Sequence, residues 1–375
     1  MFDILIVGAG PAGSFLAYLL AQNGIKVALI DKKAFPRDKL CGGGVCARSI
    51  ALLPFDISSV VEETITTAFV SLKTNILCKK SVSSPIIYMV KRKSFDAFLV
   101  KKAISQGVHF FDQTKLEEIS HDRNLVKIRT SKGLFRARLI AGADGALSKT
   151  AKLMGLGASK NLLPAIETEI SISDPQEMRK YKQNVHFDLA IPRHGYGWVF
   201  PKRDHLSVGL FSTRKKEHAL KRILVQYVKL KGIEGHFKMN SVRGYMIPAG
   251  IKTRKQLVTS FGLLLGDAAG FADPITGEGI YHALAQAEIA AANVESFLNG
   301  SQAALQNYER QIMQKFKREH LFAWLLGSFF YNIPLLGHAV LKRHVNLITN
   351  LLIDVITGKR NYQELFFIAL MLKKA

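Results

Sequence analysis

Three clusters of residues in this chain have the types and spacing to do chemistry. Gly8-Ala9-Gly10-Pro11-Ala12-Gly13 stands near one end, and Gly266-Asp267-Ala268-Ala269-Gly270, followed by Pro274 and Gly277-Glu278-Gly279, lies far downstream. In a dinucleotide site, glycines at the first spacing have separate tasks. Gly8 permits a tight turn, Gly10 lets backbone approach a pyrophosphate, and Gly13 lets a helix pack closely on a strand. The third cluster is Cys41-Gly42-Gly43-Gly44. A thiol is a competent acid near neutral pH, and three residues without side chains leave it approachable.

The flanking sequence supplies the elements that must hold these groups. Ile4 to Val7 is an apolar, β-branched run suited to a strand buried on both faces. Pro11 to Gln22 reads as a helix that stops at Asn23-Gly24. Its N-terminus offers N–H groups and partial positive charge to phosphates. A second strand, Lys26 to Asp31, ends in an acid at the spacing that grips a ribose diol, with Lys32 beside it. Strand, turn, helix, strand and acid in this order predict a dinucleotide site. The second glycine signature makes the dinucleotide FAD, in a fold whose chain returns late to its first crevice. Ile280 to Leu298 repeats apolar residues at helical spacing, so Gly277, Glu278 and Gly279 form its N-terminus. Aimed at the flavin pyrimidine, that N-terminus would stabilise reduced flavin by up to ~2 kcal/mol, with Glu278 as a first-turn acid.

A chain of 375 residues can bury a large core and should divide into two or three domains. Met1-Phe2-Asp3 runs straight into the first strand, so no signal peptide is expected. Three cysteines, Cys41, Cys46 and Cys78, are too few for a disulfide framework and point to a reducing compartment. The formal charge of +23 suits nucleic acid or an anionic membrane surface. No basic segment interleaved with aromatics and no nucleic-acid-binding signature is visible, which argues against nucleic acid. Lys315-Phe316-Lys317-Arg318 precedes the charge-free stretch Leu321 to Leu341, and Lys342-Arg343 follows it. Asn332-Ile333-Pro334 interrupts that stretch, so two shorter helices are expected, capping the protein or lying on a bilayer. A spanning helix and a buried helical subdomain are the alternatives. The expected location is cytoplasmic and peripheral on the membrane.

Between the glycine signatures, Ser94 to Ile104 has an amphipathic helix pattern and Val108 to Phe111 a strand pattern. Lys115 to Ile119, Val126 to Thr130 and Leu134 to Arg138 predict an antiparallel meander turning at Asp122-Arg123-Asn124 and Lys132-Gly133. Arg138 to Gly142 then ends a strand in the Asp144-Gly145 turn. Ile166 to Phe211 alternates in strand fashion. The expected fold is α/β: a Rossmann-like FAD-binding domain (1–50, 92–158 and 257–300), an antiparallel-sheet substrate domain (51–91 and 159–256) and a C-terminal helical region (301–375). His186, His194 and His282 lack metal-site spacing, and no metal is expected.

The opening Gly-x-Gly-x-x-Gly, Gly142-Ala143-Asp144-Gly145 and Gly266-Asp267 resemble the three fingerprints of flavoproteins related to aromatic hydroxylases. Phe35-Pro36-Arg37-Asp38-Lys39-Leu40-Cys41-Gly42-Gly43-Gly44 resembles the cysteine-triple-glycine segment of the geranylgeranyl reductase family. Gly195-Tyr196-Gly197-Trp198-Val199-Phe200-Pro201 resembles that family's Tyr-x-Trp-x-Phe-Pro segment. These motifs span residues 1 to about 300, and the remaining tail matches only as a helical region.

The resemblance implies an FAD-dependent reductase of carbon–carbon double bonds in a prenyl lipid or prenylated quinone. It assigns Asp31 to the adenosine ribose, Arg92, just before the helix holding Asp96, to the phosphates or ribityl chain, Leu116 and Asp144 to the cofactor, and Asp267 to a ribityl or ribose hydroxyl. It places Gly277, Gly279 and Ile280 along the isoalloxazine edge. Cys41, with Gly42 and Gly43, would meet flavin and substrate, and Cys41 would donate the proton that complements hydride addition. Water or a tyrosine is the rival donor, a small packed residue is the bland alternative, and a Cys41–Cys46 disulfide relay is a further one. Tyr196 and Trp198 share a strand face with Phe200 and would wall an apolar tunnel, or simply pack a core. Lys149 and Lys152 stand where the related hydroxylases place an arginine. No second nucleotide unit is visible, so NAD(P)H docking transiently or a separate electron carrier would reduce the flavin. A flavin monooxygenase or halogenase acting on an aromatic or quinone ring shares the scaffold and is the main rival, and a non-catalytic flavin-binding partner of a membrane complex is another.

Overall fold

A computed structural model describes residues 1–122, 125–159, 161–233, 241–249, 256–332 and 334–371. The chain forms two compact units. The first comprises Met1–Asp38, Lys93–Leu162 and Pro248–Arg318, the second Lys39–Arg92, Leu163–Ile247 and Glu319–Ala375.

Among the described residues the first unit is built on an eight-stranded sheet. Its centre is parallel: Phe2–Val7 lies between Val27–Ile30 and Gly133–Gly142, with His109–Phe111 and Gly262–Leu264 outside them. Ile4, Leu5, Ile6 and their neighbours Val27 to Ile30 are buried throughout, as expected where both faces are covered. The meander Leu116–Asp122, Leu125–Thr130 and Gly133–Gly142 forms in the predicted order. The stretches read separately as Leu134 to Arg138 and Arg138 to Gly142 are one continuous strand. Two helices match their predicted bounds, Pro11–Gln22 and Ile280–Leu298. A third, Arg92–Ile104, begins two residues earlier than its apolar pattern, so Arg92 is its first residue rather than lying just before it.

The second unit holds a seven-stranded, mainly antiparallel sheet in the order Arg243–Ile247, Leu163–Ser171, His205–Ser212, Gly195–Pro201, Asn184–Leu189, Thr67–Leu72, Asn75–Ser81. A smaller sheet joins Gly44–Cys46, Ile87–Val90 and Val61–Ile65. Helix Leu220–Leu230 covers one face, burying Leu224, Tyr227 and Val228 against Val199, Val208 and Leu210. Under it, the Tyr227 hydroxyl donates to Asp188 at 2.5 Å, and Lys231 Nζ lies 3.1 Å from the same carboxylate. Leu341 and Val345 pack against Val70, Leu72 and Cys78, while Ile353 joins Ile65, Ile87 and Met89.

Those last residues belong to a C-terminal helical region longer than its apolar pattern suggests. The break near Pro334 is present, but the helix before it is long, 29 residues (Ala304–Asn332), and the segment after it, Pro334–Ile356, is itself kinked at His344, where φ is −123° and ψ 25°. The charged segment before Leu321 continues the same helix, because its polar face is solvated while Tyr308, Ile312 and Phe316 are buried. Tyr362–Met371 forms a last helix. No single described helix is long and apolar enough to cross a membrane; the pair Ala304–Tyr331 and Leu336–Ile356 meets that test only together, bent by 109°.

The first helix crosses its strand at the limit of contact. A Cβ on Gly13 would lie 2.0 Å from the Gly8 carbonyl oxygen. Gly13→Ala is therefore expected to lower stability by about 1–3 kcal/mol through overpacking, measured by urea denaturation.

Candidate functional site

In the first unit, strand register brings the two glycine signatures together. Val7 pairs with Ile30 and with Gly142, and Gly142 pairs with Leu264, so four parallel strands end side by side. Ligands of open α/β sheets bind at such carboxyl ends. Leu265 N–H donates to the Gly142 carbonyl at 3.0 Å, and a Cβ on Gly266 would stand 3.0 Å from the Ala12 Cβ. The downstream signature thus abuts the upstream one.

The glycines divide their tasks as their spacing predicts. Gly8 has φ +102°, and a Cβ there would meet the Ala143 carbonyl oxygen at 2.5 Å. Gly10 differs, since the nearest atom to its would-be Cβ is Arg37 Nη2, 3.6 Å away. Nothing in the protein requires glycine at that position, which leaves the space to a close-lying ligand. Gly10 is also the N-cap of the first helix and brings no capping side chain over its N-terminus. An open, uncapped helix N-terminus fits the pyrophosphate of FAD.

Around it, Ala9 N–H donates to Asp31 Oδ2 at 3.0 Å and Lys33 N–H to Asp31 Oδ1 at 2.9 Å. Arg37 lies 3.5 Å from Asp31 through Nε and 3.0 Å from the fully buried Asp96 through Nη1. Sequence reasoning missed Arg37. The available signal was a single cation six residues after the strand-ending acid, in a segment with neither helix nor strand pattern. Lys32 is exposed, and Pro11 and Ala12 are buried in the first turn of the helix. Arg92 closes a segment of the second unit.

Asp144 carries a local load. Its Oδ2 accepts from the backbone and hydroxyl of Thr150 at 2.9 and 3.0 Å, bracing the short helix Lys149–Leu153. Lys149 Nζ donates to the carbonyl of the buried Leu116 at 2.9 Å. Downstream, Asp267 Oδ1 lies 3.0 Å from where a Gly279 Cβ would be, so a side chain there would press on that acid. Gly277 adopts φ +69°, with Asp273 Oδ1 accepting from Ile275 and Thr276 N–H. Glu278 precedes the Gly279 N-cap, so it is not the first-turn acid expected; its Oε1 accepts from Tyr281 N–H at 2.7 Å from just outside the helix, which the buried Ile280 starts.

The second unit assembles a different cluster around Cys41. Cys41 N–H donates to Glu167 Oε1 at 2.9 Å, and the Ser207 hydroxyl donates to Glu167 Oε2 at 3.3 Å. Trp198 Nε1 donates to Ser207 Oγ at 3.3 Å. On the other side, Lys202 Nζ donates to the Gly42 carbonyl at 2.6 Å, and Gly43 N–H points to Cys41 Sγ at 3.4 Å. The glycines here answer to protein neighbours. A Cβ on Gly42 would sit 2.9 Å from Phe200 and 3.1 Å from Trp198 Nε1, and one on Gly43 would reach the Val90 carbonyl at 2.1 Å. Tyr196, Trp198 and Phe200 share one face as predicted, with ring centroids 6.1 and 6.0 Å apart. Cys41, Cys46 and Cys78 are free thiols, the last two buried.

Glu167 and Lys202 were not singled out from sequence. Glu167 occupies the face opposite Ile166 and Thr168 in an alternating strand, where an acid reads as solvent-facing; here it is buried. Burial pushes its carboxyl upward, against the Cys41 N–H and the charge of Lys202. Burial also pulls the Lys202 ammonium down to about 8, opposed first by Cys41 and then by Glu167, Glu62 and Glu169. Desolvation moves both groups toward their neutral forms.

Comparison with known proteins places this architecture. Residues 1–318 match the FAD binding domain family. A geranylgeranyl diphosphate reductase of Rhodobacter capsulatus is 30% identical over 313 residues, 81% of this chain and 77% of its own. The chain belongs to the geranylgeranyl reductase family of FAD-dependent oxidoreductases. This flavoprotein is also similar to the digeranylgeranylglycerophospholipid reductase of Picrophilus torridus, 28% identical over 95% of this chain and 93% of that one. Its fold matches a geranylgeranyl bacteriochlorophyll reductase-like protein from Thermoplasma acidophilum with TM-score 0.74 and 24% identity, covering 87% of each chain.

Gly10 separates ligand binding from folding. Gly10→Ala is expected to change the stability of the flavin-free protein by less than about 0.5 kcal/mol, since its Cβ meets no backbone. The same substitution should cut the FAD that copurifies, read from flavin absorbance per protein.

Proposed function

We propose that this flavoprotein reduces carbon–carbon double bonds in the prenyl chain of a lipid or quinone. The observation that carries the reading is the packing of the Cys41-Gly42-Gly43 loop on Trp198 and Phe200, which joins both family-specific motifs in one cluster. FAD, reduced by NAD(P)H or by a separate electron carrier, supplies the hydride. The chain's own residues do the rest: Asp31, Arg37 and the first helix hold the cofactor's polar parts, and Tyr196, Trp198 and Phe200 offer an apolar wall to the prenyl chain. Cys41 holds the proton for the second alkene carbon, on a backbone fixed by Glu167 and Lys202.

The substrate reaches the enzyme from an anionic membrane surface in this reading. Leu321, Trp324, Leu336 and Phe367 are large apolar residues exposed on the C-terminal helices, and Lys317, Arg318, Lys342 and Arg343 are exposed on the same helices. Apolar side chains flanked by cations suit the headgroup boundary of anionic lipid.

Two experiments test the proposal. With the flavin reduced chemically under anaerobic conditions, geranylgeranyl lipid in detergent should reoxidise it and gain the mass of one H2 per saturated bond. Reoxidation only when oxygen enters, with a hydroxylated or halogenated product, would move the protein to the monooxygenase class. For the membrane, Leu321→Ser with Trp324→Ser should weaken cosedimentation with phosphatidylserine vesicles by at least about tenfold. Unchanged cosedimentation would remove this face from the account.

A further inference from the structure

The buried lysine beside the Cys41 loop has no role in the family motifs as read from sequence. Its surroundings are unusual for a cation. Lys202 is 3% exposed, and its Nζ bonds the Gly42 carbonyl at 2.6 Å and lies 3.5 Å from Met89 Sδ. A Cβ on Gly43 would stand 2.9 Å from the same nitrogen. The ammonium therefore rests against both residues that follow Cys41. Gly43 has φ +70°, and a Cβ there would stand 2.1 Å from the Val90 carbonyl oxygen, so it cannot yield that place to a side chain. On the opposite side the Cys41 N–H is anchored on Glu167 at 2.9 Å.

We propose that Lys202 is a positioning residue and proton reservoir for Cys41: it fixes the Cys41-Gly42-Gly43 backbone and restores the proton that the thiol gives up. The inference rests on the reductase reading. Once hydride from reduced flavin has added to one alkene carbon, the Cys41 S–H bond breaks. Its proton forms the second C–H bond and its electron pair stays on sulfur. An N–H bond of the Lys202 ammonium then breaks to restore S–H, and the neutral amine takes a proton from water. Both electrons reach the alkene with the hydride, so thiol and lysine return unchanged.

The titratable groups facing Lys202 are Cys41 in the loop, Glu167 and Glu169 on strand Leu163–Ser171, and Glu62 on strand Val61–Ile65. Strand Ile87–Val90 contributes only the Met89 thioether at this nitrogen. A neutral donor could hold the Gly42 carbonyl without the penalty of burying a charge. A cation there is explained by the negative charge that appears on sulfur during turnover. Because burial brings Lys202 down to about 8, its proton is present at neutral pH and lost as pH rises through that value.

The test uses the FAD-loaded full chain and two variants. Lys202→Gln keeps a donor but has no proton to give, and Lys202→Arg keeps the charge. The first readout needs no turnover: iodoacetamide alkylation of Cys41, followed by peptide mass at neutral pH, with buried Cys46 and Cys78 as internal references. Lys202→Gln should slow it about three- to tenfold and Lys202→Arg should restore it. Equal rates in wild type and Lys202→Gln overturn the proposal, even if the arginine variant does not fold. The second readout is anaerobic flavin reoxidation by geranylgeranyl lipid across pH. The ratio of wild-type to Lys202→Gln rates should be well above one below pH 8 and fall toward one as pH rises through about 8, the ratio removing any pH dependence the two proteins share. A ratio that stays constant across that range refutes the lysine's role while leaving the reductase reading intact. If wild type is not reoxidised at all, the reductase reading fails and, with it, this one.

Discussion

The contact on which the cluster around Cys41 depends is a lysine ammonium almost cut off from water and bonded to one backbone carbonyl, that of Gly42. Holding a cation there dictates much of what surrounds it. The loop must come close enough for a 2.6 Å bond, so Gly43 lies where a Cβ would strike both the Val90 carbonyl and the ammonium. The acid that balances it, Glu167, is buried and shared between the Cys41 N–H and the Ser207 hydroxyl, and Ser207 in turn accepts from Trp198. The arrangement is costly. Burial lowers Lys202 from the ordinary 10.5 to about 8, so between these values the folded chain binds fewer protons than the unfolded one. Stability gained from this group therefore rises with pH through that window, and the full cost of burying the charge is borne below it. That cost at neutral pH is what the proposed role of the charge beside Cys41 requires.

The cofactor cradle of the first unit rests on a different constraint, the parallel register that ends Val7, Ile30, Gly142 and Leu264 together. Short loops after those strands then fall at one edge, and signatures more than 250 residues apart meet at Ala12 and Gly266. Close backbone approaches at Gly8 and Gly13 fix the loop, while a Cβ at Gly10 would meet only the Arg37 side chain, at 3.6 Å. Arg37 sits between Asp31 and Asp96, which orients a guanidinium toward the same loop.

What was legible in the sequence was local. The turn at Gly8, the packing of Gly13, the helices Pro11–Gln22 and Ile280–Leu298 and the shared face of Tyr196, Trp198 and Phe200 all follow from spacing within one element or between neighbours. What was not legible depends on pairing across the chain. Glu167 meets Cys41 from 126 positions away, and no pattern within strand Leu163–Ser171 distinguishes a buried acid from a solvated one. Lys202 follows directly on the aromatic motif, but one cation after a proline carries no periodicity. The C-terminal helices were underestimated for a related reason. Apolar content marks only the buried part of a helix, and Ala304 to Glu319 presents a charged face whose buried stripe is Tyr308, Ile312 and Phe316.

The most direct measurement is the titration of Lys202 itself, by nitrogen-15 NMR of lysine side chains in the folded flavoprotein, assigned by its loss in Lys202→Arg. A midpoint near 8 that falls further in Glu167→Gln, where a favourable negative neighbour has been removed, is the predicted result. A midpoint near the ordinary lysine value of 10.5, unmoved by that substitution, would mean a solvated side chain and would contradict the charged clamp beneath Cys41.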